Sequence, residues 1–182
     1  MSRWGFLFDQ TRCVGCNACQ MACKDKNNLE LGQFFRRVVT YETVKDGKTF
    51  CVNYSGACNH CKDAACVKGC PTGAMHYRED GTVAHDDEKC IGCATCVWVC
   101  PYGAPSLSHK RGIALKCTSC ADLRSEGRNP ACVDACIMHC LEFVDLDELD
   151  AESEKRMVRE LPFLPESSLT DPSLRILPKR GE

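Results

Sequence analysis

Strand-like runs of apolar and β-branched residues occur in two places along the chain, and each run breaks in its middle at an Asp-Gly pair. "FFRRVVTYETVKDGKTFCVNY", residues 34–54, breaks at Asp46-Gly47, and "AMHYREDGTVAHD", residues 74–86, breaks at Asp80-Gly81. Asp-Gly between such runs is the strongest short hairpin signal, because a tight hairpin turn needs positive φ angles that these residues tolerate. Two antiparallel hairpins are therefore expected. Helical patterning is short everywhere: it fits residues 18–26, 62–69, 94–100 and 118–126, the last ended by Gly127 where a C-cap belongs. Helices of this length are not stable alone in water, so something else must hold them.

The last fifth of the chain has another character. "DELDAESEKRMVRE", residues 147–160, is charged with i,i+4 spacing and reads as a solvated helix. Residues 161–182 carry four prolines in 22 positions and are expected to be irregular. Leu161, Phe163, Leu164, Leu169, Leu174, Ile176 and Leu177 make this arm too apolar for a linker, so it is expected to lie along a partner.

Composition narrows the class. Basic and acidic residues number 23 and 25, a net charge of −2 that gives no sign of a nucleic-acid protein. Hydrophobic residues make up 44% of 182, but 18 of them are cysteine. Without cysteine, about a third of the chain is apolar, which is lean for a self-sufficient core. A cysteine content of about 10% marks a short chain as a disulfide scaffold or a metal protein. "MSRWGFLFDQ" shows no apolar signal region and no stretch reaches transmembrane length. Thiols in a reducing compartment stay free, so metal is favoured over disulfides.

Sixteen of the cysteines fall into four groups. Cys13, Cys16, Cys19 and Cys23 are spaced C-x2-C-x2-C-x3-C, and Cys90, Cys93, Cys96 and Cys100 repeat that spacing. Cys58, Cys61, Cys66 and Cys70 widen the middle interval to x4, and Cys117, Cys120, Cys132 and Cys136 widen it to x11. "DQTRCVGC" and "DDEKCIGC" share Asp, a basic residue, Gly and both cysteines, and "CPTGA" at 70–74 matches "CPYGA" at 100–104. The chain is internally repeated. In C-x2-C-x2-C three thiolates converge on one face of an iron–sulfur cube, while the cysteine after x3 reaches a second cube. Tetrahedral zinc has no use for that third and fourth cysteine. Gly15 and Gly92, between the first two ligands, either let backbone N–H groups approach the cluster sulfurs or simply supply a positive φ.

With "CNHC" at 58–61, "CPTGAMHYREDG" at 70–81, "CPYGAP" at 100–105 and "RWGFLFDQTRCVGC" at 3–16, the chain resembles the iron–sulfur subunits of dimethyl sulfoxide reductase and related molybdopterin oxidoreductases over roughly residues 3 to 145. The resemblance implies an α+β fold of two fused bacterial ferredoxin-like halves, each with two [4Fe-4S] clusters. One half would be 1–50 with 105–146, the other 51–104, with 147–182 a helix and partner-docking arm. It implies that Cys13, Cys16, Cys19 and Cys136 hold one cluster, and Cys117, Cys120, Cys132 and Cys23 its neighbour. Cys58, Cys61, Cys66 and Cys100 would hold a third, and Cys90, Cys93, Cys96 and Cys70 a fourth. Cysteine at position 93 implies four irons rather than three in that last cluster. The family role is a non-catalytic relay of single electrons between a quinone-linked membrane anchor or other donor and a large molybdenum or tungsten subunit. The first half would face the catalytic subunit and the second the electron entry. Relatives are exported together with a partner that carries a twin-arginine signal, so this chain, with no signal of its own, is expected in the cytoplasm, or membrane-associated or periplasmic by co-export. A freestanding polyferredoxin carrier is the alternative.

Several residues stand outside the four groups or carry a second reading. Cys136 is followed by Ile137 rather than proline, and Cys140 in "CIMHC" competes with it, although the shared x3 spacing favours Cys136. Cys51 is expected as a small buried hydrophobe, His60 as a residue supporting a ligand or lying at the surface, and Trp98 as a lid over a cluster. Arg36, Arg37, Lys110 and Arg111 are expected on a solvated face.

Overall fold

The computed structural model describes residues 2–45 and 47–179. Strand β1, Trp4–Asp9, buries Phe6 and Phe8 on one face, as an i,i+2 pair in a strand must. Helix α1, Ala18–Lys26, follows the first cysteine loop. Strands β2, Arg37–Lys45, and β3, Lys48–Gly56, form an antiparallel hairpin. Gly47 has φ 71°, and Asp46 of the expected turn lies outside the described residues. The second hairpin joins β4, Met75–Tyr77, to β5, Val83–His85, after helix α2, Ala65–Lys68.

The second half of the chain continues with short elements. Helix α3, Thr95–Val99, precedes the hairpin of β6, Ser106–Ser108, and β7, Ile113–Leu115. Helix α4, Ala121–Ser125, lies within the x11 insertion, and α5, Ala131–Asp134, begins at its end. Strand β8, Leu141–Asp145, then pairs antiparallel with β1. Residues 147–160 do not make one long helix: α6 is Ala151–Lys155, capped at its start by the Asp150 carboxylate, which accepts the N–H groups of Glu152 and Ser153. With no apolar face to bury, a longer helix has nothing to hold it.

The arm is not irregular throughout. Strand β9, Leu174–Leu177, adds to β1 in parallel and gives the order β8-β1-β9. Leu161, Leu174 and Ile176 are buried against the chain itself, and the Arg3 guanidinium binds Asp171 at 2.9 Å. The apolar residues expected to seek a partner are in part taken up by this sheet, while Phe163 and Leu169 stay exposed. The boundary expected at 50/51 falls inside β3, and Tyr54 of that strand packs in the larger core with Phe6, Phe8, Phe143 and Ile176. A smaller core gathers Ala64, Met75, Val83 and Ala114. Cysteines sit in both. Among the described residues no helix is long and apolar enough to cross a membrane.

Candidate metal centres

The cysteine loops share a local geometry. In the first and third groups glycine takes φ 71° at Gly15 and 69° at Gly92, and the residue before the helix takes 63° at Asn17 and 59° at Ala94. A Cβ on Gly92 would meet the Gly112 carbonyl oxygen at 2.2 Å, so both the turn and the close approach require glycine. Ala94 in the left-handed region costs about 1–2 kcal/mol. Alternating φ of this kind turns successive N–H groups inward and builds a concave anion site of the type found around iron–sulfur groups.

Folding brings the groups together crosswise. One cavity is lined by Cys13, Cys16 and Cys19 with Cys136, a second by Cys58, Cys61 and Cys66 with Cys100, and a third by Cys90, Cys93 and Cys96 with Cys70. A fourth set is buried: Cys23, Cys117 and Cys132 pack in the larger core, and Cys120 is buried outside it, its pKa raised by burial and by Cys132. Each run thus contributes its last cysteine to the first three of another. The sets also follow one another. Cys19 of the first, Cys117 and Cys132 of the second and Cys58 of the third pack in the larger core, and Cys66 of the third and Cys96 of the fourth in the smaller. Cys16 at one end and Cys93 at the other are exposed.

The surroundings of the sulfurs fit a polynuclear anionic group. Backbone N–H groups reach Sγ of Cys70 from Met75 and of Cys117 from Ser119, both at 3.4 Å. Hydroxyls do the same: Thr170 Oγ1 lies 3.2 Å from Cys61 Sγ, and Ser55 Oγ 3.3 Å from Cys19 Sγ. Burial first, then neighbouring thiols, push Cys23, Cys61 and Cys66 up to about 12. Since the thiolate is the ligating form, metal uptake here must release protons. Among the described residues no three His, Cys, Asp or Glu side chains converge closely enough to hold a single ion.

Arg36 is the clearest sign of a missing counter-charge. Its guanidinium is wholly buried over the Phe6 ring, and Nη1 donates to the Ser55 carbonyl at 2.9 Å. Nε and Nη2 have no protein partner. Burial pushes its pKa down, but Cys132, Cys19, Cys117 and Cys23 around it, when ionised, outweigh this and raise it. Buried N–H groups left unpaired cost about 1–3 kcal/mol each, so acceptors belong beside them, and the cluster sulfurs of the first two sets would supply them.

Comparison with known proteins agrees with this chemistry. Residues 49–146 match the 4Fe-4S dicluster domain family and residues 10–26 the 4Fe-4S binding domain family. The sequence is 40% identical over 185 residues to a chain of the anaerobic dimethyl sulfoxide reductase of Escherichia coli, covering 97% of this chain and 89% of that one. This protein belongs to that family of iron–sulfur subunits. It is also 37% identical to a subunit of the sulfite dehydrogenase of Allochromatium vinosum, covering 99% of this chain and 85% of that one. A subunit of the tetrathionate reductase of Salmonella typhimurium is 39% identical over 137 residues, 74% of this chain and 55% of that one.

Family membership leaves several local expectations to correct. Trp98 is 85% exposed and lids nothing within the chain, because α3 turns it outward opposite the buried Cys96. Cys51 is exposed, since the outer half of the β2–β3 hairpin runs beyond the core. Arg36 is buried rather than solvated. His60 is buried too, and not at the surface: its Nδ1 accepts the Val83 N–H at 3.1 Å, and burial with nearby Lys116, Arg124 and Arg78 pushes its pKa well below the ordinary value. Ser55, Thr170 and Lys116 escaped the sequence reading. Lys116 alone had a signal, as the basic residue just before a cysteine run, where Arg12 and Lys89 also stand.

Proposed function

We propose that this chain is the electron-transfer subunit of a molybdopterin oxidoreductase complex and carries four [4Fe-4S] clusters, one in each thiol set. The observation that carries the reading is the order of the sets. Thiols of the first and second sets share the larger core with Cys58 of the third, thiols of the third and fourth share the smaller one, and the series reaches the surface at Cys16 and Cys93. The bound clusters supply one-electron redox chemistry at fully thiolate-ligated irons with no open position for substrate. The chain is therefore a relay and not itself a catalyst.

Each set then has its ligands: Cys13, Cys16, Cys19 and Cys136; Cys117, Cys120, Cys132 and Cys23; Cys58, Cys61, Cys66 and Cys100; Cys90, Cys93, Cys96 and Cys70. The first two sets form one ferredoxin-like half and the last two the other. The chain's residues do three things around them: the loops hold the thiolates, N–H and hydroxyl donors bond to the sulfurs, and Arg36 and Lys116 place positive charge inside. Hydrogen bonding, charge and burial are the levers that set cluster potentials.

The two exposed ends are apolar. Val14, Met21 and Ile137 stand out around the first loop, and Ile91, Trp98 and Val99 around the third. Such residues beside an exposed ligand suit docking of redox partners. We infer that the catalytic partner, a reductase or dehydrogenase subunit as the relatives' names suggest, meets the chain at the first end, and that a membrane anchor or other donor meets it at the second. A freestanding polyferredoxin is the rival. Because β9 completes the central sheet, deleting residues 161–182 does not separate the two readings. Electron delivery does. The purified chain, reduced anaerobically, should reoxidise on adding its molybdenum-bearing partner and substrate together. Reoxidation without that partner, by several unrelated acceptor enzymes, would favour the carrier.

A further inference from the structure

The last cysteine of three runs opens the same five-residue turn. Cys70-Pro71-Thr72-Gly73-Ala74 and Cys100-Pro101-Tyr102-Gly103-Ala104 correspond to Cys136-Ile137-Met138-His139-Cys140. In each, the N–H of the fourth residue donates to the carbonyl of the first: Gly73 to Cys70 at 3.4 Å, Gly103 to Cys100 at 3.1 Å, and His139 to Cys136 at 3.0 Å. The fourth residue has a positive φ in all three, 67° and 58° at the glycines and 47° at His139. The turn recurs within the chain although its sequence does not, and histidine bears the left-handed strain there.

The fifth position of the turn lines a thiol cavity. Ala74 lines the cavity of Cys90, Cys93, Cys96 and Cys70, and Ala104 lines that of Cys58, Cys61, Cys66 and Cys100. Cys140 takes the same place in the first cavity, so five thiols line it where the others have four. The Cys140 side chain is buried, and its Sγ lies 3.4 Å from Cys136 Sγ. Cys13, a second member of the set, lines the same cavity beside it. The backbone N–H of Cys140 meanwhile donates to Cys136 Sγ at 3.4 Å, as that of Met75 does to Cys70. Cys136 is thus dressed as a ligand and Cys140 stands beside it as a spare.

We propose that Cys140 is an alternate ligand of the first site, able to take the iron that Cys136 holds. In such an exchange Cys140 would give its thiol proton to the departing Cys136 sulfur as its own sulfur took over the bond to iron. One Fe–S bond forms, one breaks, and neither charge nor oxidation state changes. The inference rests on the reading that this site holds a four-iron cluster.

The test uses the full-length chain purified anaerobically, with iron per chain and the low-temperature EPR spin count of the reduced protein as readouts. Cys136→Ala, Cys140→Ala, the double variant and Cys23→Ala are compared with wild type, Cys23 belonging to a set without a spare thiol. The expected result is about sixteen irons in wild type and in both single variants at 136 and 140, four for each cluster. The double variant and Cys23→Ala should each lose about four irons and one spin system. A Cys136→Ala protein that loses as much iron as the double variant overturns the proposal. So does one that fails to accumulate while Cys140→Ala accumulates normally, and so does a double variant that keeps all its iron. Wild type without iron would instead sink the cluster reading, and the inference with it.

Discussion

The hydroxyl of Thr170 lies 3.2 Å from Sγ of Cys61, 109 residues earlier in the chain, and ties the C-terminal arm to the third thiol set. A donor to a ligand sulfur favours the more negative, reduced cluster. Thr170→Val keeps the shape and removes the donor. One hydrogen bond is worth ~1 kcal/mol, so the midpoint of one cluster should fall by up to roughly 40 mV while the other three hold. An EPR-monitored redox titration reads this, and four unchanged midpoints would mean that the arm leaves the cluster in solution.

Arg36 acts on two sets at once, since its charge faces Cys19 of the first and Cys132, Cys117 and Cys23 of the second. Replacing it by methionine keeps bulk over Phe6 and removes the buried positive charge. Two midpoints should fall together, each by about 60 mV or more, a tenfold shift in the one-electron equilibrium. A fall in one alone, or in neither, would show that the guanidinium does not lie between the two clusters.

Asp80 fastens the second hairpin to α4. Its carboxylate accepts the Thr82 N–H at 2.9 Å and binds Arg124 at 2.7 Å. Partial burial pushes the carboxyl up, but the Thr82 and Arg124 bonds together outweigh it and hold it below the usual range. A depressed carboxylate contributes stability above its unfolded value, near 4, and that contribution is lost as pH falls through the folded value. Asp80→Asn should cost ~1–2 kcal/mol at pH 7 in anaerobic urea unfolding, with the gap to wild type closing below about pH 4.

Trp98 is exposed beside the fourth set, so truncation should leave the chain itself intact. Trp98→Ala is expected to keep full iron and unchanged unfolding while weakening capture of the electron donor by about thirtyfold, the loss typical of a tryptophan anchor worth about 2 kcal/mol. Unaltered donor affinity would place the entry surface elsewhere.

The sequence was most legible where spacing carries chemistry. The x2 and x3 intervals pointed to clusters and to crosswise sharing, and Asp80-Gly81 marked its hairpin, because these signals are local. Helix α1 came out at Ala18–Lys26 as its pattern implied. What stayed hidden was long-range. Nothing near Leu174 or Ile176 says that they will pair with β1, and nothing in "FFRRVV" says which arginine is buried. Strand pairing is set by a partner 168 residues away, beyond any windowed pattern. Trp98 misled because a tryptophan between two ligands reads as core, whereas α3 has only five residues and its inner face is taken by Cys96.

The central claim is that a chain with four clusters works inside a molybdopterin complex. Anaerobic affinity isolation from the native cells, with iron, molybdenum and tungsten determined on the eluate, tests it most directly. The account predicts co-elution of a large partner with pterin-bound molybdenum or tungsten and about sixteen irons for each copy of this chain. A lone chain with the same iron and no molybdenum or tungsten would contradict it.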